Sequence, residues 1–181
     1  RRKFDVWPAD INDDQYVSKF NFDSSHTEAV DYVPDNAKVL DVGCGMGHVS
    51  NMLKQKGCHS TGLDFRAVGN SSNFDKFVEH DLDDHNLPVD IKDFDHVLLL
   101  DVVEHLKDPE GFLAALYRNA SASPGVRIVI TTGNVAFAVV RFMHLFGQFN
   151  YGKRGILDIT HTRLFTFSSL RRLLEESGFK I

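Results

Sequence analysis

The stretch that decides the fold is Lys38-Val39-Leu40-Asp41-Val42-Gly43-Cys44-Gly45-Met46-Gly47-His48-Val49-Ser50. Its apolar residues Val39, Leu40 and Val42 predict a short buried strand, and the residues after Gly47 predict a helix. Glycine tolerates positive φ and lets the backbone approach a ligand closely, so the glycines predict a tight turn. A strand, a glycine turn and a helix N-terminus together form a site for a nucleoside or an anion.

The spacing of the glycines narrows the choice of ligand. Gly43, Gly45 and Gly47 read G-x-G-x-G, whereas the dinucleotide fingerprint reads G-x-G-x-x-G. Because no Lys-Ser or Lys-Thr pair follows, the turn is not a phosphate-cradling P-loop. A glycine turn without any ligand is the alternative interpretation.

Residues 41–47 resemble motif I of the class I S-adenosylmethionine-dependent methyltransferases. The resemblance implies a cofactor site formed by Asp41, Gly43, Cys44, Gly45 and Gly47. It also implies an α/β fold with a Rossmann-like, doubly wound and mainly parallel sheet. The cofactor, S-adenosylmethionine, would lie across the carboxyl ends of the strands.

The pattern along the chain agrees with such a sheet. Apolar runs predict a first strand at residues 39–42 and further strands at 60–65, 77–82, 94–101 and 126–132, with helical segments between most of them. Strands that alternate with helices pair in parallel through right-handed crossovers. In addition, Ser24 or Ser25 is expected to cap a short helix ahead of the first strand, and residues 66–76 are expected to form a less regular connection.

Composition excludes several classes of protein. The chain has 181 residues, 43% of them hydrophobic, which suits a single globular domain. Its net charge of -5 lacks a basic footprint, so no nucleic-acid partner is expected. Cys44 and Cys58 cannot form a disulfide framework, and no signal peptide is visible, which favours a reducing, cytoplasmic location. The chain begins with Arg1, so it can be a piece of a longer protein.

Acidic residues end the second and third predicted strands. Asp64 follows Asp41 by 23 residues, close to the position where an acid accepts hydrogen bonds from ribose hydroxyls. We expect Asp64 and the adjacent Phe65 to contact the cofactor, although a solvated carboxylate or a helix cap is the alternative for Asp64. The resemblance assigns Asp81 to the adenine amino group and the Leu82 amide to the ring, and a loop carboxylate is the alternative for Asp81.

The end of the fourth strand carries a further acidic motif. Asp101, Glu104 and His105 resemble the E-x-x-E-H motif of ubiquinone-type O-methyltransferases, in which two acids and the histidine are described as binding a divalent cation. We expect no metal here and assign Asp101 to the cofactor, with a divalent cation as the alternative. Glu104 and His105 would shape the pocket floor or hold the loop, and His105 is also a candidate general base.

We expect the chain to divide into a lead-in or cap segment at residues 1–35 and a methyltransferase domain at 36–181 with a lid-like insertion at 133–165. Residues 135–149 are rich in Phe, Val and Leu but too short and interrupted to span a membrane. They predict an amphipathic helix that covers the site, packs on a partner or lies on a membrane surface. A plain core helix is the alternative.

The end of the insertion supplies two more candidate site residues. Residues 157–166 resemble a segment of the ubiquinone and sugar-type methyltransferases, in which polar groups lie near the pocket. His161 is our candidate general base, and Arg163 our candidate contact for an anionic substrate group. The alternatives are that His161 ties the loop to the sheet and that Arg163 pairs with a nearby acid. A helix at 168–177 follows, and residues 179–181 would begin a sixth strand, without the edge hairpin usual in the family.

Together these features predict a methyltransferase that transfers a methyl group to an oxygen atom of a small-molecule acceptor. The absence of an Asn-Pro-Pro-Tyr motif after the fourth strand argues against methylation of nucleobase amino groups. One alternative is an inactive methyltransferase-like binding or scaffold module. Another is a nicotinamide-dependent oxidoreductase, against which the glycine spacing counts. No oligomeric state is predicted.

Overall fold

The computed structural model describes residues 24–66 and 73–181 of the chain. In these residues the strands are β1 (Lys38–Val42), β2 (His59–Asp64), β3 (Lys76–Glu79), β4 (His96–Leu100) and β5 (Arg127–Thr131). The α-helices are α1 (Ser25–Tyr32), α2 (His48–Gln55), α3 (Pro109–Ser121), α4 (Ala138–Leu145) and α5 (Phe167–Glu176). Residues 1–23 of the predicted lead-in or cap segment and residues 67–72 of the predicted irregular connection lie outside the described residues.

The described strands form one parallel sheet in the order β3-β2-β1-β4-β5. Asp41 on β1 lies opposite Gly62 on one side and Leu98 on the other. The chain reverses its direction of winding between β1 and β4, which is the point where ligands bind in open α/β sheets. The prediction of a Rossmann-like, doubly wound α/β fold is confirmed.

Helices cover both faces of the sheet. Every residue of β4 is buried, as its nearly continuous apolar run predicts for a parallel strand. Leu98 and Leu100 belong to the core cluster that includes residues of α1 and α2, whereas Val97 and Leu99 belong to the cluster that includes residues of α3 and α5. Alternate side chains of one strand therefore hold the two helical layers together.

The helix ends follow local capping rules. Ser24 caps α1 and forms a reciprocal capping box with Thr27, which confirms the predicted helix start. At α3, the Asp108 side chain accepts a hydrogen bond from the Gly111 amide at 3.0 Å, and Pro109 occupies the first turn. The cap at Asp108 begins α3 directly after the loop that carries Asp101, Glu104 and His105.

Several predicted boundaries are wrong for physical reasons. β3 ends at Glu79 rather than at residue 82, because the Asp81 carboxylate accepts a hydrogen bond from the Asp83 amide at 3.0 Å and turns the chain. Asp101 lies outside β4 because its φ of 57° leaves the strand region. Residues 179–181 form no ladder of hydrogen bonds with any strand in the described part of the chain, and the Phe179 ring packs instead against Tyr117 at 5.2 Å.

The helix of the insertion is shorter than predicted and largely exposed. It covers Ala138–Leu145 rather than residues 135–149, and Val140 is its only buried residue. The alternative of a plain core helix is therefore wrong. Across the described part of the chain, the helices lack the length and apolar character needed to cross a bilayer.

Candidate active site

The glycine turn connects β1 to α2 and leaves an open face. Gly43, Gly45 and Gly47 have φ values of 70°, 50° and 75°, all in the left-handed region. A Cβ atom on Gly43 would lie 2.6 Å from a methyl carbon of Val102, whereas one on Gly45 would meet no heavy atom within 4 Å. The turn therefore packs against the end of β4 at Gly43 and offers free space to a ligand at Gly45.

Asp41 lies beneath the turn and is almost fully buried. Its Oδ2 atom accepts a hydrogen bond from the Ser50 hydroxyl at 2.9 Å, which ties β1 to α2. Burial raises the pKa of Asp41 to about 7, because a charged carboxylate loses its hydration. The observed contact is structural, and the assignment of Asp41 to the cofactor stays a prediction.

Asp64 is fixed beside the glycine turn by two backbone amides. Its Oδ2 atom accepts a hydrogen bond from the Gly45 amide at 2.9 Å, and its Oδ1 atom accepts one from the Phe65 amide at 2.8 Å. Each carboxylate oxygen keeps a further lone pair for a ligand. Phe65 is exposed next to it, with the Arg66 guanidinium 4.9 Å above its ring.

The remaining cofactor candidates differ in their exposure. Burial raises the pKa of the Cys44 thiol, so this side chain stays protonated in the turn. Asp81 is exposed and forms its local turn with Asp83, while the Leu82 side chain belongs to the core. The assignment of Asp81 and Leu82 to adenine stays a prediction.

Asp101 connects three elements at the end of β4. Its Oδ1 atom accepts a hydrogen bond from the Thr131 hydroxyl at 3.1 Å, and its Oδ2 atom lies 3.2 Å from Nε2 of His26 on α1. A non-glycine residue in the left-handed region is uncommon and often marks a functional site. Sequence reasoning missed His26, because a lone histidine in a short helix gives no signal of a contact with a distant strand end.

A cavity of about 220 Å³ lies next to Asp101. One wall comes from the loop after β4 and the other from the insertion, including Asp101, Glu104, His105, Arg154, Asp158 and His161. Val102, the neighbour of Asp101, packs on Gly43, so the cavity and the glycine turn share a border.

His105 and His161, the two candidate catalytic residues, both line this cavity. Their ring centroids lie 4.8 Å apart in an edge-to-face arrangement. Nδ1 of His161 is 3.1 Å from the carbonyl oxygen of Ile156. Because a carbonyl only accepts hydrogen bonds, Nδ1 carries the proton and Nε2 of a neutral His161 keeps a lone pair. Nδ1 of His105 lies 3.3 Å from the Thr160 hydroxyl.

Glu104 is the least exposed polar side chain of the cavity wall, at 2%. Its Oε1 atom accepts a hydrogen bond from the Gly133 amide at 3.3 Å, whereas Oε2 has no hydrogen-bond partner among the described residues. The Glu104 carbonyl also accepts hydrogen bonds from the amides of Thr162 and Arg163. Glu104 thus holds the insertion against the end of β4.

A divalent cation at this site was the alternative to a site without metal. Within residues 24–66 and 73–181, no group of three His, Cys, Asp or Glu side chains is arranged to hold a metal ion.

Arg163 forms an ion pair with Glu110 on α3 and is not among the residues that line the cavity. The structure therefore shows the alternative interpretation, in which Arg163 pairs with a nearby acid. The contact of Arg163 with a substrate stays a prediction.

Comparison with known proteins identifies the family. A family model described as a methyltransferase domain matches residues 15–181. The chain belongs to this family of methyltransferase domains, which confirms the resemblance seen in residues 41–47.

Individual relatives match over part of their length. A ubiquinone biosynthesis O-methyltransferase from Pseudomonas entomophila (strain L48) is 32% identical over 107 residues, which cover 54% of this chain and 44% of the relative. A norajmaline N-methyltransferase from Rauvolfia serpentina is 31% identical over 102 residues, covering 51% of this chain and 34% of the relative. In both comparisons the matched segment covers less than half of the relative.

A solved structure shows the same fold. It is the magnesium protoporphyrin IX methyltransferase from Synechocystis PCC 6803 with bound SAH, with a TM-score of 0.58 and 20% sequence identity. The match covers 86% of this chain and 72% of that protein. At this identity the likeness concerns the fold alone.

The residues present fit S-adenosylmethionine, the cofactor of this class. The open face at Gly45 gives backbone access, and Asp64 next to it holds both carboxylate oxygens in a fixed orientation. The carboxyl ends of β1, β2 and β4 meet at this edge of the sheet.

Proposed function

We propose that this chain catalyses methyl transfer from S-adenosylmethionine to an oxygen atom of a small-molecule acceptor. The observation that carries the proposal is the cavity beside the glycine turn, where His161 has its Nδ1 atom committed to the Ile156 carbonyl. Its other ring nitrogen can then accept a proton in the same cavity. Family membership and the partial match to ubiquinone O-methyltransferases support the same reaction.

Binding of the cofactor would use residues at the carboxyl ends of the strands. When bound, S-adenosylmethionine supplies an electrophilic methyl group on a sulfonium sulfur. Asp64 would accept hydrogen bonds from the ribose hydroxyls, since its orientation is set by the amides of Gly45 and Phe65. Asp81 and the Leu82 amide would hold the adenine. These residues orient the donor, and orientation of the two reactants contributes a large part of the rate.

Removal of the proton from the acceptor would use residues of the cavity. Nε2 of His161 accepts the proton from the acceptor hydroxyl, so that an oxygen lone pair becomes available for attack. The Ile156 carbonyl keeps the ring in the tautomer that this step needs. His105 packs edge-to-face on His161 and limits its rotation. The cavity of about 220 Å³ admits the reacting group of a small molecule, and the net charge of -5 disfavours a nucleic-acid acceptor.

Two measurements test the proposal. Isothermal titration with S-adenosylhomocysteine, with NAD as the control, is expected to give binding of the first ligand alone. An acceptor screen with labelled S-adenosylmethionine should then find transfer to hydroxylated compounds, with and without magnesium. Binding without transfer to any acceptor favours the scaffold alternative, and transfer only to amines contradicts the oxygen acceptor. Binding of NAD alone contradicts the cofactor.

A further inference from the structure

The insertion carries a large exposed apolar surface that the proposed reaction does not use. We name it the aromatic surface and define it by seven exposed residues, Phe137, Val139, Phe142, Leu145, Phe146, Phe149 and Tyr151. Phe142 is 65% exposed and Leu145 81%, although α4 presents only Val140 to the core. An exposed apolar patch of this kind marks a site of interaction with a protein or a membrane.

The rings of the aromatic surface contact each other. Phe142 and Phe146 lie 5.0 Å apart between ring centroids, and Phe149 and Tyr151 lie 5.4 Å apart. The ring of His144 packs on Phe149 at 4.8 Å. These pairs hold the side chains of one segment together while they remain exposed. The surface is therefore formed before any partner binds.

The charge of the same segment is opposite to that of the whole chain. Residues 133–157 contain no Asp or Glu but include Arg141, Lys153 and Arg154, in a chain with a net charge of -5. An apolar face accompanied by cations is complementary to an anionic lipid surface.

We propose that the aromatic surface docks this protein on the headgroup region of an anionic lipid bilayer. α4 has eight residues, so it would lie in the interface with its apolar side chains inserted. A second copy of the chain fits less well, because a symmetric contact places the same patch on both partners. Such an interface would enclose the cations Arg141, Lys153 and Arg154 of both copies.

Docking in this way has a consequence for the candidate active site. Arg154, Gly155 and Ile156 line the cavity, and they follow Tyr151 of the aromatic surface within the same segment. A docked molecule therefore holds one wall of the cavity beside the lipid headgroups. The docking itself does not depend on methyl transfer.

Vesicle co-sedimentation of the chain tests the proposal without cofactor or acceptor. Phosphatidylcholine vesicles with phosphatidylglycerol are expected to bind the chain, and vesicles of phosphatidylcholine alone to bind it more weakly. The double substitution Phe142→Ser and Leu145→Ser should lower binding at least about ten-fold, because it removes two inserted side chains. The double substitution Arg141→Gln and Lys153→Gln should reduce the salt dependence of binding.

Phe167→Ser is the matched control, because this aromatic side chain is 80% exposed but lies outside the aromatic surface. It is expected to bind vesicles as the unchanged chain does. Circular dichroism and S-adenosylhomocysteine binding of all variants should match the unchanged chain, which separates docking from folding. Equal vesicle binding by the Phe142 and Leu145 variant overturns the proposal. Absence of vesicle binding, or a concentration-dependent dimer that the same substitutions abolish, also overturns it.

Discussion

His161 points its Nδ1 atom at the carbonyl oxygen of Ile156, 3.1 Å away. This contact leaves Nε2 as the proton acceptor in the cavity, so His161→Asn should lower kcat by about 100-fold or more. Asparagine keeps a hydrogen-bonding group but is not a base at neutral pH. Binding of S-adenosylhomocysteine should be unchanged, which titration calorimetry checks.

His144→Asn is the control for that substitution, because His144 lies on α4 and is not among the cavity residues. It should leave kcat unchanged. Should His105→Asn abolish turnover while His161→Asn retains it, the roles of the two rings would have to be exchanged.

Asp64→Asn should weaken binding of S-adenosylhomocysteine. The carboxylate accepts hydrogen bonds from the amides of Gly45 and Phe65, and an amide NH2 group cannot replace both acceptors. Loss of a charged acceptor costs about 1.5–3 kcal/mol, or roughly 10- to 150-fold in affinity. Titration calorimetry measures the change, with the exposed Asp35→Asn as the control. Unchanged affinity in a folded Asp64→Asn variant would contradict the ribose assignment.

Asp41 should make the stability of the domain depend on pH. Burial raises its pKa from 3.8 to about 7, so between these values the unfolded chain releases a proton that the folded chain retains. The contribution of Asp41 to the free energy of unfolding therefore falls as pH rises through this window, by about 4 kcal/mol in total. Asp41→Asn removes the titration and keeps a similar shape.

Urea denaturation of both proteins at pH 4.5 and pH 7 measures this effect. Because other titrating groups are shared, the variant should gain stability relative to the unchanged chain at the higher pH. A stability difference that is the same at both pH values would show that Asp41 is ionised normally in the fold.

The two glycines of the turn should differ in their response to alanine. Both have positive φ, which costs about 1–2 kcal/mol for a residue with a Cβ atom. Only at Gly43 does the new Cβ atom collide with Val102, at 2.6 Å. Crowding of this kind costs about 1–3 kcal/mol more, so Gly43→Ala should lower the free energy of unfolding more than Gly45→Ala does.

Val102→Ala provides the matching test for the collision. It removes the methyl carbons near Gly43, so Gly43→Ala should be less destabilising in the Val102→Ala background than in the unchanged chain. Thermal or urea unfolding of the four proteins in this cycle gives the coupling. Strict additivity would mean that backbone strain alone determines the cost.

The sequence by itself determined the sheet and the positions along the chain where the site begins. Val39, Leu40 and Val42, followed by three glycines, specify a buried strand and a left-handed turn through interactions between near neighbours. The apolar run of β4 likewise predicts burial on both faces. Parallel strands then bring Asp64 and Asp101 to one edge, so the region of the site was predictable.

Only the tertiary structure decided which distant side chains meet. The contact of His26 with Asp101, the pairing of His105 with His161 and the burial of Glu104 depend on how loops close over the sheet. Loop closure leaves no periodic pattern in a sequence. The sequence also left the exposure of α4 undecided, because its apolar residues suit a core, a partner or a lipid surface equally. In the structure only Val140 of this helix is buried, which excludes a core helix.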